Sequence, residues 1–202
     1  MESLLAIFLG LGLSAACGFR IFVPLLVMSI AAQAGHLELA PDLQWIGSEV
    51  ALLVFVVATF FEVSAYYVPW VDNLLDVVAT PVAVVAGILV MSAAMGDIGD
   101  LSPMWRWALA AILGGGAAGI TQGTTDVLRL ASTTTTGGLG NPLLATGEDV
   151  TSLLLAVVAV LLMGWLVRWL GKGAVKLGLR SRNVDPQSQG SPPTAVLHWR
   201  RF

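Results

Sequence analysis

Apolar residues in this chain come in runs long enough to be read as helices before any composition is counted. A membrane-spanning helix takes about 20 mainly apolar residues, because every backbone group in hydrocarbon has to be paired within the segment. Five stretches qualify, near residues 4–33, 48–67, 74–95, 105–131 and 149–170. The first is too long for a simple perpendicular crossing and is interrupted by Cys17-Gly18-Phe19-Arg20 and by Pro24, so its helix is expected to be kinked or broken. Pro81 predicts a kink in the third. Of the polar intervals, 34–47 reads as a solvated connection. The hydroxyl- and glycine-rich run from Ser132 to Pro142 reads either as an aqueous loop or as irregular backbone lining a cavity within protein. The expected fold class is all-α, a polytopic transmembrane helix bundle of about five spans.

Composition agrees: 56% of the 202 residues are hydrophobic, 11% are charged, and the mean hydropathy is +0.84. Charge is distributed unevenly. Residues 36–100 carry eight acids and no Lys or Arg, whereas Arg168, Lys172, Lys176, Arg180 and Arg182 follow the last apolar run without an acid among them. That is no nucleic-acid footprint; it suits a segment lying on anionic lipid headgroups at a cytoplasmic surface, with Arg168, Lys172, Lys176 and Arg180 as the contacts. The expected organisation is a transmembrane domain at 1–170, with candidate repeats at about 1–100 and 101–170, a basic interfacial segment at 171–180 and a disordered tail at 181–202. Five spans with a cytoplasmic C-terminus leave the N-terminus outside. Cys17 is the single cysteine and the two histidines are far apart, so no metal site, cofactor or enzyme chemistry is expected. Small size makes a homo-oligomer plausible.

Candidate chemistry lies in the few charges within the apolar runs. Arg20 sits near mid-membrane, where charge costs at least about 2.5 kcal/mol and normally has a partner in the bundle. Glu62 reads either as a buried acid or as a carboxylate reaching the interface. Asp72 and Asp76, four apart, share a face at the start of the third span, where acids also suit the helix dipole. Asp126 and Arg129, three apart, are placed to pair along one helix. Pro69 to Asp76 can be laid over Pro142 to Asp149, and Ala83–Leu89 then falls on Ala156–Leu162; Gly10 to Arg20 has the spacing of Gly119 to Arg129. An internal repeat would explain both matches, as would the commonness of Ala, Val and Leu. The first match implies parallel halves and the second inverted ones. Both hold, on a five-span reading, only if 132–148 crosses or re-enters the membrane.

Gly18-Phe19-Arg20 with Pro24, Pro69-Trp70-Val71-Asp72-Asn73, and Gly137-Gly138-Leu139-Gly140-Asn141-Pro142 with Glu148-Asp149 together resemble a bacterial family of small integral membrane proteins classified only as a domain of unknown function. The resemblance covers about 4–170 and implies a compact multi-span domain, without substrate or catalytic residues. Broken helices and charged junctions in repeated halves are how many secondary transporters build a central site. The expected substrate- or ion-binding set is Arg20, Glu62, Asp76, Asn141, Glu148 and Asp149, in a transporter of the bacterial cytoplasmic membrane, with proton exchange on Asp76 or Asp149. A structural or regulatory membrane protein, whose buried charges only pair helices, is the other reading.

Overall fold

The computed structural model describes the backbone of residues 2–65, 69–96 and 101–176; side chains at 2–3, 69–77, 163 and 166–176 fall outside that description. The described residues are helical in long stretches. They form α1 (Glu2–Cys17), α2 (Phe22–Gln33), a 3-10 helix (Pro41–Gly47), α3 (Glu49–Ala65), α4 (Pro69–Met95), α5 (Pro103–Ala110) continued by a π-helical turn (Ala111–Gly115) into α6 (Gly116–Thr136), and α7 (Asn141–Lys176). Residues up to Arg168 form one compact unit, and Trp169 begins a second. The expected tail lies outside the described residues, as does Arg180.

Local chemistry sets the boundaries. The Ser48 hydroxyl accepts the Ala51 N–H at 3.1 Å, capping α3, and Pro103 opens α5 where its missing N–H is no loss. After Thr136 the chain enters the left-handed region at Gly137 (φ 65°) and Gly138 (φ 87°), which glycine adopts without a Cβ penalty. The run 132–136 is therefore helix rather than loop, and only residues 137–140 turn. Its hydroxyls explain how: Thr134, Thr135 and Thr136 donate to the carbonyls of Leu130, Ala131 and Ser132, so each polar side chain is absorbed by its own helix. The 34–47 interval also departs from a solvated connection. Ala40, Leu43 and Ile46 are buried in the main core with Leu13, Met28, Phe55 and Val90, and a 3-10 helix is the tight form that turns them inward.

Neighbouring residues fix the helix directions. Gly10 faces Met91 and Ala94, while Ser14 Oγ donates to the Gly87 carbonyl at 2.8 Å, so α1 and α4 are antiparallel. Gly12 faces Ala159 and Ser152 Oγ donates to the Ala16 carbonyl at 3.0 Å, so α1 and α7 are antiparallel too. With α2 the sense reverses: Ile21 and Phe22 lie beside Val78 and Ala79, whereas the Ala40 N–H donates to the Ala93 carbonyl at 3.1 Å. Thus α2 runs with α4, and α1 and α2 form a hairpin folded back at Gly18–Ile21. Their 16 and 12 residues reach about 24 and 18 Å, less than the roughly 30 Å of hydrocarbon. The first stretch is broken, as its sequence suggested, and it also returns to the end from which it came. Residue 4 and residue 165 consequently lie at the same end of the bundle, so the expectation of an outward N-terminus opposite the C-terminal end is corrected.

The packing at the centre uses glycine. α4 crosses the π-helical turn at Gly87 and Gly114, where an added Cβ on either would come within 2.6 Å or 2.4 Å of the other's carbonyl oxygen. Small residues let backbones meet where hydrocarbon offers helices no hydrophobic drive to associate. Among the described residues two helices are long and apolar enough to cross a membrane, over Val78–Met95 and Asn141–Leu162; Pro41–Gly47 with Glu49–Ala65, bent by 62°, makes a third if it counts as one span. Exposed Phe60, Phe61, Ile112, Ile120, Leu153 and Leu161 give the outer faces the apolar surface that lipid requires.

Candidate functional site

The break at the hairpin tip gathers the charges. Gly18 packs so closely on α6 that an added Cβ would meet the Ala118 carbonyl oxygen and the Thr121 side chain at 2.5 Å, which presses the tip between helices and leaves Arg20 only 1% exposed. Its guanidinium reaches α7. Nε donates to Asp149, Nη1 donates to Glu148 Oε2 at 3.1 Å and to the Phe19 carbonyl at 3.3 Å, and Nη2 donates to the Ala145 carbonyl at 3.0 Å. Arg129 of α6 holds the same carboxylate from the other side, Nε donating to Glu148 Oε1 at 3.1 Å and Nη2 to Oε2. Glu148 is therefore clamped between two guanidiniums, and both arginines are buried.

Glu62 completes the site from α3. Its carboxylate accepts the Ile21 N–H at 2.6 Å and the Phe22 N–H at 3.0 Å, so it caps the first turn of α2, whose positive end favours an anion. It feels both Arg20 and Asp149 electrostatically. The half-buried Glu62 carboxylate is thus turned onto the break between α1 and α2.

Arg20, Glu62, Glu148 and Asp149 come together. Asn141 does not: it belongs to the α6–α7 turn, where Nδ2 donates to Thr133 Oγ1 at 3.3 Å. The backbone of Asp76 is in the first half of α4, and its side chain, like that of Asp72, lies outside the described residues. Asp126 does not take Arg129 as its partner; it accepts from Gln122 Nε2 and Thr80 Oγ1, both at 2.9 Å, while Arg129 turns to Glu148. A helix-spacing argument sees only residues on its own helix, and α7 offered the stronger acceptor. The sequence offered Arg129 both as a partner for Asp126 and as a counterpart of Arg20; its share in Glu148 was announced by nothing but burial cost, since an arginine in an apolar helix has to find an acid. At the opposite end, Arg106 donates to both carboxylate oxygens of Asp42 at 2.5 Å, a pair that the loop reading of 34–47 missed.

Residues 7–168 match the family described as a domain of unknown function, DUF4126. The chain belongs to this family. No curated protein and no solved structure matches it. In this DUF4126 chain the matched region takes in the hairpin, the clamp on Glu148 and the pair at Arg106, and ends where the first compact unit ends.

Arg20, Arg106 and Arg129 are the only Lys or Arg in residues 1–167, and Arg106 is engaged with Asp42 at the far end. Two guanidiniums thus face at least three carboxylates, Glu62, Glu148 and Asp149, within apolar helices. An uncompensated buried charge in such surroundings costs several kcal/mol. Asp149, whose side chain is 19% exposed, and Glu62 are the more reachable acids; Glu148 is closed in by both arginines.

Proposed function

We propose that this chain is a multi-pass protein of the bacterial cytoplasmic membrane that moves a small solute or ion by exchanging a proton or cation at the Arg20–Glu148–Arg129 cluster. The observation that carries the reading is the excess of carboxylates over guanidiniums at a broken helix pair. Arg20 acts as a counter-ion, because its donors are already engaged by Asp149, Glu148 and backbone carbonyls. Asp149 and Glu62 carry the exchanged charge. α3, α4, the α5–α6 rod and α7 cross the bilayer, and the α1–α2 hairpin re-enters from the face that holds residues 4 and 165. Basic residues orient it: Arg106 and Arg168 fall at that same end, while the 137–140 turn has no Lys or Arg, so the end with residues 4 and 165 faces the cytoplasm. Arg168, Lys172, Lys176 and Arg180 then meet anionic headgroups.

The test is proton flux into proteoliposomes containing a trapped pH dye, driven by a potassium diffusion potential. Wild-type protein should move protons faster than protein-free vesicles, and Asp149→Asn should lower the rate at least about tenfold, as expected when an obligatory acid is lost. Equal rates for the two proteins would overturn the proposal. The saturation of Glu148 by two arginines favours a second reading, in which the cluster only locks helices together. On that reading Arg20→Met combined with Asp149→Met keeps both fold and cellular phenotype; loss of the phenotype in a folded double variant rejects it.

A further inference from the structure

Beside the cluster, α2, α3 and α4 enclose a pocket of about 330 Å3 that opens between the outer faces of α3 and α4. Ile21, Phe22, Ala58, Val78 and Val82 wall it, and exposed Phe61 stands at its mouth. Among the described lining residues Glu62 is the one polar side chain. We propose that this pocket binds a hydrophobic organic cation, a substituted ammonium of roughly ten heavy atoms, which reaches Glu62 laterally from the lipid. The inference rests on the exchange reading above for the cluster's excess negative charge, and it assigns that charge a ligand.

Three features fit this class. The volume is at the lower end of small-molecule sites, and such sites combine an apolar lining with a few placed polar groups. Glu62 places the pocket's one described carboxyl at its inner wall. Its two backbone N–H bonds fix the carboxylate yet leave lone pairs, because each carboxylate oxygen can accept more than one contact. An anion would meet the carboxylate with no described cation on the pocket wall. A neutral apolar molecule would fill the space but leave the excess charge as it was. A monocation fills the space and balances the site. The mouth residues Phe61, Val78 and Val82 are apolar and exposed, so the approach is from hydrocarbon, where a hydrophobic ammonium concentrates.

Equilibrium dialysis against lipid nanodiscs separates these cases, using phenyltrimethylammonium and its uncharged carbon isostere tert-butylbenzene. Nanodiscs bearing the full chain should bind the cation saturably above empty nanodiscs, with at least a tenfold preference over the isostere. Ala58→Phe, which fills the pocket and leaves every charged residue of the cluster in place, should weaken cation binding at least tenfold. Glu62→Gln should do the same while leaving the isostere's partition unchanged. Binding unaltered by Ala58→Phe, no saturable excess over empty nanodiscs, or equal binding of the isostere would each overturn the proposal. The Ala58 variant keeps the test decisive if uncapping α2 unfolds the Glu62 variant. Binding is read at equilibrium, so saturable cation binding without proton flux would reject the exchange reading and leave the pocket, whereas flux without cation binding would do the reverse.

Discussion

At the scale of single residues, the arginine clamp is where removal of one group costs most. Glu148→Gln leaves two buried guanidiniums without their shared anion, and breaking a buried pair in this way costs about 3–5 kcal/mol. Unfolding of the purified protein in mixed micelles should show that loss. Arg129→Gln should cost less, because Arg20 still holds Glu148, and the pair of substitutions should be non-additive by about 0.5–3 kcal/mol in a double-mutant cycle. Strict additivity would mean that the two side chains do not share the clamp. Much of this was legible in the sequence. An arginine at residue 20 and the acids at 148–149 announce themselves by their cost in an apolar run, and Glu62 was named on the same ground. Their partnership was not legible, because Arg20 and Glu148 are 128 residues apart and helical periodicity relates only near neighbours. Asn141 shows the converse: a polar residue in a candidate junction bonds locally, its Nδ2 donating to Thr133 Oγ1, while its Oδ1 is buried without a partner.

Elements were read well where apolarity governs them and less well where a side chain supplies its own hydrogen bond. The long helices α3, α4 and α7 were visible as runs, and the break near residue 20 as a glycine beside an arginine. The helical state of 132–136 was hidden because hydroxyl back-bonding is a property of the folded helix, not of the composition. Reversal at 18–21 was hidden too, since a broken span and a hairpin have the same sequence signature. Close helix approach is testable at this scale. Gly114→Ala would place a methyl 2.4 Å from the Gly87 carbonyl oxygen, on backbone that cannot rotate away, and should destabilise the bundle by about 1–3 kcal/mol. Gly137→Ala adds a Cβ in the left-handed region and should cost about 1–2 kcal/mol, with little packing change because nothing lies within 4 Å. A Gly137 variant more damaging than the Gly114 variant would contradict the account of which glycine serves contact and which serves conformation.

For the whole molecule, the hairpin decides how the helix directions alternate. α1 and α6 run in one direction and α2, α4 and α7 in the other, so the pairs 20/129 and 76/149 each join segments related by parallel directions. The conflict between parallel and inverted halves dissolves at residues 18–21, far from the 132–148 segment where sequence reasoning looked for it. In a Cys17→Ser background, single cysteines at Leu4 and Trp165 should label from the same side with an impermeant thiol reagent and one at Leu139 from the other. Labelling of positions 4 and 139 from a common side would refute the hairpin.

A segment that enters and leaves by one face also has a history during synthesis. Arg20 leaves the ribosome 128 residues before Glu148, a delay on the order of 10 s at usual elongation rates. A crossing helix would have to carry the unpaired guanidinium through hydrocarbon in that interval. A hairpin need not, for it can lie at the surface until α6 and α7 provide the acids, and only then sink between them. Cys17, fully buried in the finished protein and beside the tip, is a native clock for this step. Chains stalled before Asn141 should expose it to an aqueous thiol reagent, and chains released at full length should protect it; protection in the stalled chains would mean that the arginine enters the membrane before its partners exist.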